Sequence, residues 1–415
     1  MSLGAVGAAV LMLGMQSGTE VPYAPMPAPG PGASVCPEGI CGVEALEGVF
    51  EALAATEAGT RDRPVHILQI GDSHTAGDRI TGALRARMQA RFGAGGRGVL
   101  PPGVPYAGYG PMQVEVTARD WPMRTDVLAR GVMPIGVGLS GGEADVRDGA
   151  TMTITAESNG AFDQVQICGE AWQADGELPL PAGAETQTMG FAVREDEVWQ
   201  PECQTATFDK PQTQIDIRPT GRLKLYDLRL TRRAAGVQVS NLGVVGATMQ
   251  DLALRDSSIA WLELAAWMPD LIILAFGVNE GFAPNLDPRE YELWLRQALM
   301  VVRSMDAPVL ILGAPEGLKP GTGGPCGGRS APEALAVVRD VQRRVAGETG
   351  VAFWDWYGRM GGDCSAERLA TSPEPYMRPD RVHFTSQGAE WIGGVLSDDL
   401  MRAYERWKAA KGEAD

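Results

Sequence analysis

The stretch Val65 to Asp78, VHILQIGDSHTAGD, decides how this chain is read. Its first part, VHILQIG, is a short, apolar, β-rich run of the kind covered on both faces in a parallel sheet. The strand is left through Gly71, Asp72, Ser73 and His74, and a helix with an apolar stripe is predicted at about 79–92. A serine opening a helix sits beside free backbone amides and the positive end of the helix dipole, where negative charge is stabilised. Alone, such a serine is a helix N-cap; the rest of the chain decides its meaning.

Working outward, a helix is expected at about 42–57, and from about 100 to 235 the pattern changes. Proline and glycine turns there alternate with period-2 runs such as TMTITA, DQVQICG, TQIDIRP and RLKLYDLRLTR, which predict an all-β module. From 236 strands and helices alternate again: GVQVSNLG, a helix at 248–266, DLIILAFG, a helix at 287–304 and APVLILGA. A helix at 331–348, VAFWDW and a last helix at about 386–407 follow. Short strands separated by long helices imply right-handed βαβ units and a sheet covered on both faces. The expected architecture is a doubly wound α/β domain, residues 42–100 and 236–410, interrupted by a β-sandwich over 101–235.

The chain has 415 residues, 44% of them hydrophobic, which allows an enzyme with an accessory domain. Its net charge of −16 would repel a phosphate backbone, so no nucleic-acid partner is expected. The opening MSLGAVGAAVLMLGMQSGTE holds an apolar run of signal-peptide length, shorter than the roughly 20 residues that span a bilayer. Residues 1–41 are therefore read as a signal or anchor remnant followed by a Pro/Gly-rich linker, in an exported, periplasmic protein tethered at most by its N-terminus. No integral membrane domain is expected. Six cysteines fall as three local couples, and pairing 36/41, 168/203 and 326/364 keeps each bridge within one module, as in an oxidising compartment. Six cysteines allow 15 connectivities, and none of the couples has the spacing of a zinc site. No metal or other cofactor is predicted.

Ligands of an open parallel sheet bind beyond the carboxyl ends of its strands. The residues leaving the strands there are Gly71-Asp72-Ser73-His74, then NLGVVGAT over 241–248, then Gly277-Val278-Asn279-Glu280; RPDRVHFTSQG, before the last helix, adds Asp380 and His383. A serine hydroxyl needs a base to take its proton, and the base needs a third group to fix its tautomer; Ser73, His383 and Asp380 supply these roles. An oxyanion needs donors fixed in advance, here the amides of Ser73 and Gly246 and the side chain of Asn279. Asp72 and His74 flank the serine as supporting candidates.

These blocks in this order resemble the SGNH (GDSL-type) hydrolases: GDSH as the serine block, NLGVVGAT as the glycine block, GVNE as the asparagine block and DRVH as the Asp-x-x-His block. Glu280 departs from the aspartate common at that place in the family. Within it, GDSHTAGD, GAPEGLKPG, RVHFTSQGAEWIG and the position of the insertion resemble periplasmic peptidoglycan O-acetylesterases. That resemblance implies a flavodoxin-like catalytic domain with an inserted, carbohydrate-binding-module-like jelly roll. It also implies removal of the 6-O-acetyl group of N-acetylmuramic acid, the O-acetylated glycan being the partner. Two alternatives stay open: an O-acetyltransferase of the same fold acting on an exported polysaccharide, and a non-catalytic glycan-binding protein.

Some features compete for attention. Ser140, in GLSGG, resembles the serine loop of trypsin-like proteases, but no two-barrel strand pattern surrounds it. The run FWDWYGRMGG could stack on sugars, although Phe353 and its alternates suit a core. Trp121, Trp172 and Trp199 are the insertion's tryptophans and its candidates for sugar contact. Oligomeric state is not legible from the sequence.

Overall fold

The computed structural model describes residues 34–130, 136–172, 175–181, 183–186, 188–193 and 201–412. The expected signal or anchor segment, most of the linker and Trp199 lie outside them. Six strands form the central sheet in the order Ile40–Cys41, Ala352–Trp354, Val309–Leu312, Leu271–Ala275, Val65–Gly71 and Val237–Gly243. Neighbours are parallel except for the first pair, which is antiparallel. In chain order the parallel strands run 2-1-3-4-5, the flavodoxin-like arrangement, whose switch point lies between Val65–Gly71 and Leu271–Ala275. Ile40 and Cys41, in the stretch read as linker, form the antiparallel edge, secured by burial of Ile40 and by the Cys36–Cys41 disulfide.

Helices cover both faces. Glu47–Glu57, Arg79–Phe92 and Ser386–Gly412 pack Phe50, Leu84 and Ile392 on one side; Ser257–Trp267, Pro288–Val302 and Glu333–Thr349 pack Trp267, Leu295 and Val338 on the other. Local chemistry sets their ends. Asp287 accepts from the amides of Arg289 and Glu290, with Pro288 in the first turn where its missing N–H costs nothing. The single helix expected at 248–266 is two, Met249–Leu254 and Ser257–Trp267. Arg255 between them is extended because its guanidinium turns inward to Asp126 (2.8 Å) and the Leu139 carbonyl (2.6 Å), and Asp256 caps the new helix.

The β-rich region has its own core. One antiparallel sheet runs Glu202–Gln212, Phe162–Ala171, Arg222–Thr231, Gly142–Arg147 and Met123–Thr125; a second runs Gln214–Ile217, Thr151–Ala156 and Val114–Arg119. Phe162, Ile154, Phe208 and Leu225 are buried within that core. Gly98–Leu100, before the expected boundary, joins the first sheet by pairing Leu100 with Leu228. The remaining disulfides are Cys168–Cys203, bridging adjacent strands of the first sheet, and Cys326–Cys364. The pairing is thus the local one expected, and no cysteine is free among the described residues. No described helix is long and apolar enough to cross a membrane.

Asp227, on the strand Arg222–Thr231, and Glu263, on the helix Ser257–Trp267, are fully buried and interact where the two regions meet. Burial pushes Glu263 up to about 8 and, with the nearby Glu263 charge, pushes Asp227 well above the carboxylate range. A carboxyl raised in the folded state gives stability that is complete below its unfolded pKa and is lost as pH rises through the folded one. The pair should therefore cost the protein melting temperature as pH rises from about 5 through about 8, and Asp227→Asn should reduce that loss. Thermal melts of both proteins across this range test it; parallel slopes would sink the assignment.

Candidate active site

The turn that carries Ser73 is built by close contact. Asp72 donates its amide to the Ala275 carbonyl (3.2 Å) and accepts the His74 amide on its carboxylate (2.9 Å), starting the short helix Ser73–Ala76. A Cβ on Gly243 would lie 2.1 Å from the Ala76 amide nitrogen, and one on Gly71 would lie 2.6 Å from the Ala275 carbonyl oxygen. The turn therefore rests on two strand ends that only glycine allows. Asn241 donates to the Thr75 carbonyl (2.5 Å) and the Thr81 hydroxyl (2.6 Å), and Gln69 donates to the Thr75 hydroxyl (2.9 Å).

Ser73 Oγ lies 3.0 Å from His383 Nε2, and His383 Nδ1 lies 2.9 Å from Asp380 Oδ2. The other Asp380 oxygen accepts the amides of Val382 (2.9 Å) and His383 (3.0 Å). Partial burial opposes the Asp380 charge, but these amides and the imidazole outweigh it and hold its carboxyl below the usual range. An ionised carboxylate on Nδ1 fixes the neutral imidazole as the Nδ1–H tautomer, leaving Nε2 as the acceptor facing the serine.

Gly246 has φ +79°, a conformation that explains the glycine, since a Cβ there would meet only Val127 at 3.6 Å. Asn279, at the switch point, donates Nδ2 to the Ala247 carbonyl (2.8 Å), which ties the asparagine block to the glycine block. A cleft of about 460 Å³ is lined by Ser73, His74, Tyr106, Val245, Arg378 and His383 among others; Gly246 and Asn279 are not among its lining residues. Glu280 accepts the Met249 amide (2.6 Å), and burial, aided by the Asp72 charge, pushes it up to about 7. His74 is buried with Nδ1 3.2 Å from Asp72 and Nε2 2.9 Å from the Val382 carbonyl. Burial opposes its charge, yet the Asp72 hydrogen bond and charge and the Val382 carbonyl raise its pKa above the usual histidine value.

The competing features lie elsewhere. Ser140 is buried and donates to the Tyr226 carbonyl (2.5 Å). Phe353, Trp354 and Trp356 are buried, Trp121 is buried with its indole on the Pro102 carbonyl, and Trp172 lies under Lys224, 4.0 Å from ring centre. His66 is buried between Ser240 (2.7 Å) and the Trp267 carbonyl. No group of three or more metal-ligating side chains occurs among the described residues.

Asp78, the last residue of the opening motif, is a supporting residue that the sequence reading left without a role. Its buried carboxylate accepts from Thr81 (2.5 Å), Arg85 (2.9 Å), Arg97 (2.8 Å) and the Met112 amide (2.8 Å). Burial opposes its charge, but the two guanidinium groups prevail and hold its pKa at about 2. The available signal was an aspartate closing the motif, seven residues before an arginine on the next helix. Asp78→Asn would leave two buried guanidinium groups without their anion, a change that costs about 3–5 kcal/mol. A denaturant titration should read that loss; a difference under about 1 kcal/mol would show that the cluster relaxes without cost.

Residues 218–391 match the model of the GDSL-like Lipase/Acylhydrolase family, a span that holds Gly246, Asn279, Asp380 and His383 but begins after Ser73. Among solved structures, a peptidoglycan O-acetylesterase is 28% identical, with 86% of this chain and 96% of that one covered and a TM-score of 0.70. An acetyl xylan esterase is 18% identical, with 40% and 81% covered and a TM-score of 0.31. A carbohydrate acetylesterase from Sinorhizobium meliloti is 16% identical, with 40% and 79% covered and a TM-score of 0.29. No curated protein sequence matches. The family match over 218–391 and the structural likeness over both the α/β sheet and the β-rich region give the chain the SGNH (GDSL-type) hydrolase fold and support a hydrolase of the esterase kind.

Proposed function

We propose that the protein is an exported serine esterase that removes O-acetyl groups from a cell-wall glycan, peptidoglycan being its substrate and the 6-O-acetyl group of N-acetylmuramic acid its target. The observation that supports the substrate is the extent of the likeness. A peptidoglycan O-acetylesterase covers 86% of the chain, more than the α/β part can supply without the β-rich region. The cleft agrees in charge: its lining includes Arg79 and Arg378 and no carboxylate, in a chain of net charge −16, which suits a glycan that bears carboxylates. Three disulfides favour an oxidising compartment, and the proposed site is the periplasm.

In the proposed mechanism, Ser73 Oγ attacks the acetyl carbonyl while His383 Nε2 takes its proton, and Asp380 stabilises the imidazolium that forms. The amides of Ser73 and Gly246 and the Asn279 side chain receive the oxyanion. Collapse breaks the bond to the sugar oxygen, which takes the proton from His383, and leaves acetyl on Ser73. Water, deprotonated by His383, then releases acetate and restores the serine. The segment that provides Tyr106, Gly108 and Gly110 walls the cleft, so it contributes to holding the glycan as well as to the fold.

Acetate release from O-acetylated muropeptides should exceed that from acetylated xylan and from a synthetic acetyl ester. Ser73→Ala and His383→Ala should each lower turnover by about a thousandfold or more, the double mutant being hardly worse, because the residues act as one unit. Additive losses would separate the two residues. Acetyl retained on an added sugar acceptor, with little free acetate, would instead identify a transferase.

A further inference from the structure

Beneath the imidazole of His383 lies a second one. The His74 ring stacks on that of His383 with centroids 5.4 Å apart and planes 22° apart, and Trp356 (5.5 Å) and Phe384 (6.0 Å) close on it edge to face. Only 7% of His74 is exposed, so its polar atoms depend on the protein for partners.

Those partners fix its charge. Nδ1 faces Asp72 Oδ1 at 3.2 Å and Nε2 faces the Val382 carbonyl oxygen at 2.9 Å. A carbonyl oxygen only accepts. So does an ionised carboxylate, and this Asp72 oxygen already accepts the His74 amide at 2.9 Å. A neutral imidazole carries one N–H and one lone pair, so one of its two contacts would set lone pair against lone pair in a buried place. The imidazolium donates at both.

We propose that His74 is a buried imidazolium and a positioning residue for His383, held by Asp72 on one side and holding the Val382 carbonyl on the other. Val382 is the residue before His383 and shares with it the Asp380 carboxylate, so the clamp acts on the peptide that aims the base. The charges that reach His74 are the carboxylates of Asp72, on the serine turn, and Asp380, on the histidine loop. Glu280, in the asparagine block, senses the same Asp72 charge. Trp356 and Phe384 present aromatic edges. When His383 takes the serine proton, a second positive charge appears in the stack. That repulsion favours onward transfer of the proton to the departing sugar oxygen, so loss of the His74 charge should show in the pH dependence of turnover.

The functional half of this proposal rests on His383 being the base, and the test separates the two halves. The chain has three histidines, so the imidazole nitrogens can be assigned by ¹⁵N NMR on the full protein with His74→Gln and His383→Ala as references. At pH 8, His74 should show both ring nitrogens protonated; a neutral-tautomer signal for His74 would overturn the charge assignment whatever the activity. In a pH–rate profile of kcat/KM on a synthetic acetyl ester, His74→Gln, which keeps a donor but no charge, should move the acid limb up by about one pH unit. A limb that stays in place while kcat falls would reduce His74 to packing. If His74→Gln does not fold, the His74 ring is assigned through its contacts with Trp356 and Phe384, and the NMR arm decides the charge alone.

Discussion

The carboxylate of Asp78 is the point on which the rest of this architecture turns. It is a buried anion that receives two guanidinium groups, a hydroxyl and a backbone amide, contributed by the helix after the serine turn and by the chain leading into the β-rich region. Ions taken out of water are costly unless every lone pair finds a donor, and here nearly every one does. Arg97 carries the cost of that arrangement: burial and the neighbouring Arg85 hold its pKa down at about 10. The cluster thereby sets the distance between the serine turn, the start of its helix and the first strand of the β-rich region.

The line from Ser73 through His383 to Asp380 is less enclosed. His383 and Asp380 are about two-fifths and one-half exposed, on a loop rather than on a strand or helix. Their order comes from behind: from backbone bonds such as Arg378 to His383 (2.7 Å) and Leu318 to Arg381 (3.1 Å), and from the aromatic wall of Trp356 and Phe384. The Cys326–Cys364 bridge braces the segment next to Glu316, whose carboxylate receives the amides of Cys364 (2.7 Å) and Ala366 (2.7 Å). The partly exposed His383 is thus mounted on a stiff support.

Much of this was legible in the sequence because the signals were local. VHILQIG, DLIILAFG and APVLILGA read as strands from their apolar runs, and the helix at 79–92 has the limits predicted from its stripe. The four blocks were found because each leaves a strand or loop with polar groups that a turn alone does not need. What escaped depends on distant partners. The break at Arg255 is caused by Asp126 and Leu139, more than a hundred residues earlier, and the edge strand at Ile40 exists because Ala352–Trp354 offers it an edge. The role of Asp78 needed Arg97 and Met112, and the charge on His74 needed the Val382 carbonyl 308 residues away. Periodicity carries no trace of such partners.

The parallel pairing of Val65–Gly71 with Val237–Gly243 joins residues 172 positions apart, with the β-rich region lying between them. Closing so long a loop costs entropy that no local contact returns, and such pairings form slowly. The antiparallel strands between them pair over shorter separations, such as Cys168 with Cys203 and Thr153 with Asp216, and their pairing shortens the effective loop that the central sheet must close. The seat of the serine turn on Gly243 and Ala275 is complete only when that loop has been closed. The position of Ser73 is therefore set by strands that follow it far along the chain.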